Sequence, residues 1–393
     1  MAGNPRDSIW TRTFALLCSA QFLGYAQHFM LMPALPLYVT HLGGSPSVVG
    51  LVLASFAVTS VVIRPVMGHW ADRFGESRIM ASGMLLQSLS MLLFLVPWIP
   101  AAMFANGFRG IGWAGLNAGG YSLLALSAPL ARRGEASGYY SGVQNSATIF
   151  FPAVALWLLE TPFGGFRFVF VCAAAIAVAA AALGFLLGGY LTRGGRDTQV
   201  SLPPAGWRAL LHSFDRNLLL PAALHFCLQL TMPSITSFIV LYARESGLGS
   251  IGWFYVASGI TSLLARPLLG RLSDTIGRGP SLAGAFTFQV VAFFLLALAS
   301  SLAGLLAAGM LYVLTVAIGS STTLALAMDR ANPQARGRAM ASFSVAYPLS
   351  YGVGGFVAGS AVDLAGYVWM YLLMAAWGVL GLVVTFANWH RLR

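Results

Sequence analysis

Long apolar runs separated by short polar breaks occupy the whole chain. Twelve runs are long enough to cross a bilayer as helices, at roughly 12–38, 48–68, 77–98, 101–128, 138–160, 166–190, 217–243, 250–270, 280–299, 302–327, 339–361 and 367–389. Each approaches or exceeds the ~20 residues that a hydrocarbon core requires. Pro33, Pro152, Pro233 and Pro348 fall inside runs, where a membrane helix tolerates a kink because neighbours satisfy the freed backbone groups. The polar residues inside the runs are ordered. In run 1, Cys18, Gln21, Tyr25 and His28 recur at spacings of three and four, which is one helix face. Run 4 repeats this with Asn106, Arg109, Trp113, Asn117 and Tyr121, and run 7 with His225, Gln229, Met232 and Thr236. Run 5 adds Gln144 and Thr148, run 11 adds Ser344, Tyr347 and Tyr351, and run 10 carries the weaker set Tyr312, Thr315 and Thr322. Polar groups are costly in hydrocarbon, so such faces are expected to converge on a water-filled path. Interhelical hydrogen bonding is the other reading of any single one.

The polar stretch after run 2 is written twice. Gly68-His69-Trp70-Ala71-Asp72-Arg73-Phe74-Gly75-Glu76-Ser77-Arg78 returns as Gly270-Arg271-Leu272-Ser273-Asp274-Thr275-Ile276-Gly277-Arg278. Arg64-Pro65 and Arg266-Pro267 precede the two copies, and Gly68/Gly270, Asp72/Asp274 and Gly75/Gly277 keep one offset of 202 residues. Arg133-Gly134-Glu135-Ala136 returns as Arg336-Gly337-Arg338-Ala339, 203 residues on. The chain therefore reads as one six-run unit written twice, 1–190 and 217–393, joined by a polar linker at 191–216. Within the linker, Trp207–Leu211 reads either as a short interfacial helix or as plain connection.

Composition narrows the class. Hydrophobic residues make up 58% and charged residues 8%, against about 25% charged in a soluble domain, so lipid is the expected solvent. The net charge of +11 does not point to nucleic acid, because the arginines sit in the breaks. With the N-terminus inside, seventeen arginines fall on cytoplasmic segments and two, Arg167 and Arg244, on outer ones. That asymmetry predicts an inner-membrane protein with both termini cytoplasmic. All 22 basic residues are Arg, which removes Schiff-base chemistry. Cys18, Cys172 and Cys227 form neither a metal spacing nor a disulfide framework. No nucleophile triad, phosphate loop or carboxylate pair appears, so an enzyme, a cofactor and a metal are not expected. The apolar stretch after Arg12 is too long for a cleavable signal core.

Twelve runs in two repeats, with this loop between runs 2 and 3, resemble the major facilitator superfamily of secondary transporters, in particular bacterial exporters of drugs and metabolites. Gly68, Asp72, Arg73 and Gly75 match the family's loop motif. Glu76 replaces its first basic residue and Arg78 supplies one further on; in the second copy Gly270, Asp274, Gly277 and Arg278 match and Thr275 does not. The resemblance implies an all-α membrane fold of twelve transmembrane helices in two pseudo-symmetric six-helix bundles, working as a monomer. It implies that Asp72 faces the start of run 11 near Ala339, and Asp274 the start of run 5 near Gly138. There an anion is favoured by unpaired helix N–H groups, and the contact acts as a cytoplasmic latch. It also implies that runs 1, 4, 7 and 10 line a central cavity. Around Asn106-Gly107-Phe108-Arg109-Gly110 the run-4 motif is altered, so that either Asn106 or Arg109 occupies the motif's Arg position. In run 5, Phe151-Pro152 stands where an exporter-associated Gly-Pro is expected.

The site read from these faces comprises Gln21, Tyr25, His28, Arg109, Trp113, Asn117, Tyr121, Gln144, His225, Gln229 and Tyr347. Arg109 lies about eight residues, ~12 Å at 1.5 Å per residue, from the outer end of its run, a depth at which a permanent charge needs water or a partner. No Asp or Glu lies mid-run. If transport is proton-coupled, His28 or His225 is the expected carrier. A positive cavity with aromatic walls favours an anionic or zwitterionic amphiphile as substrate. Export of such a molecule, import of an organic anion, and a transport-inactive sensor or scaffold are the three readings the sequence leaves open.

Overall fold

The computed structural model describes residues 9–127, 132–162, 164–193, 216–248, 251–330 and 343–392. Its regular elements are helices: α1 (Arg12–His41), α2 (Pro46–Phe74), α3 (Glu76–Leu93), α4 (Ile99–Ser127), α5 (Arg133–Glu160), α6 (Phe166–Arg193), α7 (Leu219–Gln229), α8 (Met232–Thr236), α9 (Phe238–Glu245), α10 (Gly252–Ile276), α11 (Arg278–Leu298), α12 (Leu302–Arg330) and α13 (Ala346–Ala387). Each apolar run is mostly helix over its described part, although run 3 is helical only to Leu93 and not to 98. Run 7 becomes α7, α8 and α9, while runs 11 and 12 become α13, broken at Gly366. Among the described residues, seven helices are long and apolar enough to cross a membrane by length and composition alone. Helices α1 and α4 fall outside that set because the polar faces described above lower their hydropathy.

Two of the polar breaks are single-residue turns. Gly75, between α2 and α3, has φ +94°, and Gly277, between α10 and α11, has φ +89°, values that glycine adopts without steric cost. The six positive-φ glycines among the described residues pair across the repeat: Gly43 with Gly247, Gly75 with Gly277, and Gly165 with Gly366. The duplication is thus kept at the level of backbone turns. The two motif glycines play different parts. Gly68 lies inside α2, which runs on to Phe74, and a Cβ there would meet nothing within 4 Å. The tight turn belongs to Gly75, not Gly68, and Gly270 likewise lies within α10. Arg73 and Arg78 are exposed. The side chains of Asp72 and Asp274, the stretch around Ala339, and the linker stretch Trp207–Leu211 lie outside what is described.

The chain divides into two compact units, Met1–Leu31 with Thr59–Arg208, and Met32–Val58 with Ala209–Arg393. In the first, α3 packs on α4 and α6; in the second, α11 packs on α12 and α13, the same neighbours one repeat later. Small residues set the α3–α4 distance: a Cβ on Gly83 would lie 2.6 Å from the Gly112 carbonyl oxygen, and one on Gly119 would lie 2.8 Å from Met80 Cβ. The second unit contains the first half of α2, seated on α13. There, a Cβ on Gly50 would lie 2.9 Å from Phe356 Cα, and one on Gly359 would lie 2.8 Å from the Pro46 carbonyl carbon. Asp363 closes this seam. Its Oδ2 accepts from Ser45 Oγ at 2.8 Å and from the Ser47 N–H at 2.9 Å, capping the positive end of α2.

Candidate functional site

In the first unit the polar faces of α1 and α4 meet. His28 and Arg109 are 7% and 5% exposed. Arg109 Nη2 lies 3.0 Å from His28 Nδ1, and Arg109 Nη1 donates to Asn106 Oδ1. A guanidinium has only donors, so His28 Nδ1 is the acceptor in that bond. These neutral dipoles offset part of the cost of burying the cation. The indole of Trp113 stacks on His28, centroids 4.0 Å apart and planes 22° apart, and the Tyr25 ring lies 4.6 Å from the same indole. Tyr25 then donates to Asn117 Oδ1 at 2.8 Å, and Asn117 Nδ2 donates to the Trp113 carbonyl at 2.9 Å. Arg109, His28, Trp113, Tyr25 and Asn117 therefore form one ladder along α1 and α4, with the charge at one end and partly exposed Tyr25 and Asn117 at the other.

Gln21 and Gln144 meet inside the same unit. Gln144 Nε2 donates to Gln21 Oε1 at 3.1 Å, and Gln21 Nε2 donates to the Leu116 carbonyl at 3.2 Å. Gln21 is fully buried, so here it ties α1, α4 and α5 together. A Cβ on Gly120 would lie 2.5 Å from Tyr140 Oη and would overlap Gln21 Nε2. Tyr121 is 52% exposed and contacts Tyr140 edge-on, with centroids 5.6 Å apart.

In the second unit, His225 Nδ1 lies 2.9 Å from Thr323 Oγ1, Gln229 Nε2 donates to Ser320 Oγ at 3.3 Å, and Tyr347 Oη approaches Met232 Sδ at 3.7 Å. These contacts repeat those of the first unit in register. Gln21 beside Gly120 becomes His225 beside Thr323; Tyr25 bonded to Asn117 becomes Gln229 bonded to Ser320, each residue moved by 203 or 204 positions. Arg109 corresponds in the same way to Tyr312, whose hydroxyl lies 3.2 Å from Thr231 Oγ1. The same scaffold thus holds a cation in one copy and a neutral phenol in the other.

Pro233 predicts one kink in run 7, and the structure has two interruptions there. Pro233 carries no N–H and lies in the first turn of α8. The breaks at Leu230–Thr231 and Ser237 strand backbone carbonyls that a continuous helix would use internally. Side chains take them up: Ser234 Oγ donates to the Thr231 carbonyl and Tyr255 Oη to the Thr236 carbonyl at 2.9 Å. The Tyr351 hydroxyl reaches Thr236 Oγ1 and Ser237 Oγ at 3.2 and 3.1 Å. Interrupted helices of this kind line sites in secondary transporters. Thr323, Ser320, Thr231, Tyr140 and the fully buried pair Gln27 and Gln87, joined by a hydrogen bond, are further polar residues that helical spacing does not single out. Gln27 is one position off the run-1 face, and Ser or Thr alone carries little signal in a membrane helix. Among the described residues no group of three or more His, Cys, Asp or Glu could hold a metal ion.

Comparison with known proteins accords with this geometry. The sequence profile of the Major Facilitator Superfamily matches residues 17–250 and 225–391. The chain is 29% identical over 175 residues to Multidrug resistance protein 1 of Bacillus subtilis (strain 168), covering 44% of each chain. It is 29% identical over 167 residues to Quinolone resistance protein NorA of Staphylococcus aureus, covering 42% of each. The matched segment thus spans less than half the length of these curated relatives. In structure it is similar to the nucleoside transporter NupG, with TM-score 0.75 and 14% identity over 96% of this chain and 99% of that one. It is also similar to a bacterial homolog of the human lysosomal transporter Spinster, with TM-score 0.77 and 15% identity over 100% and 98%. At such identities the structural likeness is one of fold alone. With the profile matching nearly all of a duplicated, all-helical, multi-pass chain, the protein belongs to the Major Facilitator Superfamily, a family of membrane transporters.

Proposed function

We propose that the protein exports a small amphipathic molecule across the bacterial inner membrane by alternating access, with protons moving in the opposite direction and both termini in the cytoplasm. The carrying observation is the α1–α4 ladder, in which the buried Arg109 continues through His28 into the aromatic faces of Trp113 and Tyr25. A substrate with an anionic or zwitterionic head and a flat apolar body matches both ends. The names of the relatives, multidrug and quinolone resistance proteins, favour export. On this reading Tyr25, Asn117, Tyr121, Gln229 and Tyr347 meet substrate. Gln21 and Gln144 hold α1, α4 and α5 in place, and Asp72 and Asp274 are the cytoplasmic latches.

Import of an organic anion is the second reading, favoured by a sequence that places no Asp or Glu mid-run to balance Arg109. The test is pH-jump flux in proteoliposomes against a panel of anionic, zwitterionic and cationic amphiphiles, with Arg109→Ala alongside. Outward-directed movement of an anion or zwitterion, lost in Arg109→Ala, is expected. Movement of cations unaffected by Arg109→Ala would overturn the proposed substrate class, and net uptake without counter-movement of protons would favour the importer.

A further inference from the structure

The two intramembrane histidines sit in opposite hydrogen-bonding frames. His28 Nδ1 faces Arg109 Nη2 at 3.0 Å; since Arg can only donate, the lone pair of Nδ1 is engaged and the ring proton sits on Nε2. His225 Nδ1 faces Thr323 Oγ1 at 2.9 Å. The Thr323 hydroxyl has a single proton, and its other neighbours are carbonyl oxygens, of Gly319 at 2.8 Å and Ser320 at 3.2 Å. Carbonyls only accept, so a hydroxyl proton given to its own helix leaves Oγ1 to receive the proton of His225 Nδ1–H. In that frame the neutral ring of His225 carries its lone pair on Nε2.

From this difference we infer that His225, and not His28, is the proton-binding site of the transporter, with Thr323 fixing the tautomer that presents Nε2 for protonation. The step is a simple association: a proton from water forms the Nε2–H bond, giving an imidazolium that still donates from Nδ1 to Thr323, and leaves by the same bond on return. Protonating His28 instead would require its bond to Arg109 to break first. Among the described residues, the groups around His225 do not compete for that proton. Phe343 packs against the ring, with centroids 5.0 Å apart. On α12, Asp329 and Arg330 lie six and seven positions beyond Thr323; Asp329 meets Arg278 at 3.5 Å and Arg330 donates to the Arg391 carbonyl. Cys227 on α7 is packed among Leu224, Leu228 and Phe286, and Tyr347 on α13 reaches Met232. In the repeat the position of His225 corresponds to Gln21, which cannot titrate, so the duplication has placed a proton carrier in one copy only.

This inference rests on the proton-linked reading above, but its test needs no substrate. The protein is labelled with 15N-histidine in detergent, and the six histidines are assigned by single His→Asn variants. The 15N shifts of each ring then report which nitrogen carries the proton. His225 is expected to show the Nδ1–H form at pH 8 and a new proton at Nε2 on acidification toward pH 4; His28 is expected to show the Nε2–H form throughout. Arg109→Gln should let His28 take up a second proton, and Thr323→Val should shift His225 toward the Nε2–H form. Finding His225 already protonated at Nε2 in the neutral ring, or His28 gaining a proton before His225 with Arg109 intact, would overturn the assignment. A second arm measures proton-driven flux of a panel amphiphile: His225→Gln should remove the pH dependence. Correct tautomers with flux indifferent to pH would leave the proton site standing and refute the coupling.

Discussion

The seam between α2 and α13 sets up a test in which two identical substitutions should act with opposite signs. Gly→Ala in an exposed helix interior stabilises by about 1 kcal/mol, because Ala restricts the unfolded backbone and covers the helix. Gly142, within α5, has nothing within 4 Å of its added Cβ, so Gly142→Ala should show that gain. Gly359 lies against the start of α2, and its added Cβ would be 2.8 Å from the Pro46 carbonyl carbon and 3.0 Å from Ser47 Cα. Both neighbours are backbone and cannot rotate away. Restoring ordinary contact near 3.4 Å moves α2 outward by at least 0.6 Å, which lengthens the two bonds to Asp363 from 2.8 and 2.9 Å to the limit of hydrogen bonding. Overpacking of this kind costs ~1–3 kcal/mol, which exceeds the propensity gain over most of that range. The assay is thermal melting in detergent, paired with maleimide labelling of Val49→Cys in a background with the native cysteines replaced. Val49 is fully buried. Gly359→Ala should lower the melting temperature and raise the labelling rate several-fold, while Gly142→Ala raises the melting temperature and leaves the label excluded. If both variants melt higher and Val49→Cys stays sealed in each, the backbone contact does not exist.

Two further outcomes follow from other contacts. Asp363 is exposed on α13, three residues before the turn at Gly366. Burial raises its pKa, but the hydrogen bonds from Ser47 and Ser45 together outweigh that and hold the carboxyl below its ordinary value. A depressed carboxylate contributes stability that is present above its unfolded value of about 3.9 and is lost as pH falls through the folded value. The melting difference between the native chain and Asp363→Asn should therefore be constant from pH 5 to 8 and shrink only in stronger acid; a difference that changes near pH 6 would assign it to another group. Gly120→Ala should displace Gln21 and Tyr140 and lower transport at least tenfold with a modest fall in melting temperature. Transport at the native rate would show that the Gln21–Gln144 tie is not needed for the α1–α4 ladder.

Much of the fold was legible because lipid imposes a simple rule. A run of apolar residues must be helical to satisfy its own backbone, so helix existence followed from length alone, and the constant offset between Gly75 and Gly277 announced the duplication. What escaped the sequence depended on contacts between distant residues. Pro233 signalled a kink in run 7, but the second interruption, at Ser237, is stabilised by Tyr351, which is 114 positions away. Runs 11 and 12 read as two helices with a short connection between them, yet the chain turns at Gly366 alone and is helical on both sides of it. The candidate site was half legible. Helical spacing put Tyr25 and His28 on one helix face and Arg109, Trp113 and Asn117 on another, and these side chains meet, yet spacing cannot say whether a polar residue meets water or another side chain. Gln21 and Gln144 meet each other, and the partner that sets the tautomer of His225 is a threonine indistinguishable in sequence from its neighbour Thr322.

The seating of Met32–Val58 in the second unit has a consequence for how the protein is made. This segment is made well before Asp363, the group that caps it, which lies 318 residues on from Ser45 and 316 on from Ser47. Until α13 is made, the glycine face of α2 lacks the partner it packs against. It must wait in lipid, where close-packing surfaces invite wrong partners, including the same face of another nascent chain. The duplicated gene is therefore not assembled as two finished halves laid side by side. The seam on α2 is left open until α13 has been delivered, and a chain that stalls beforehand carries that seam unpaired.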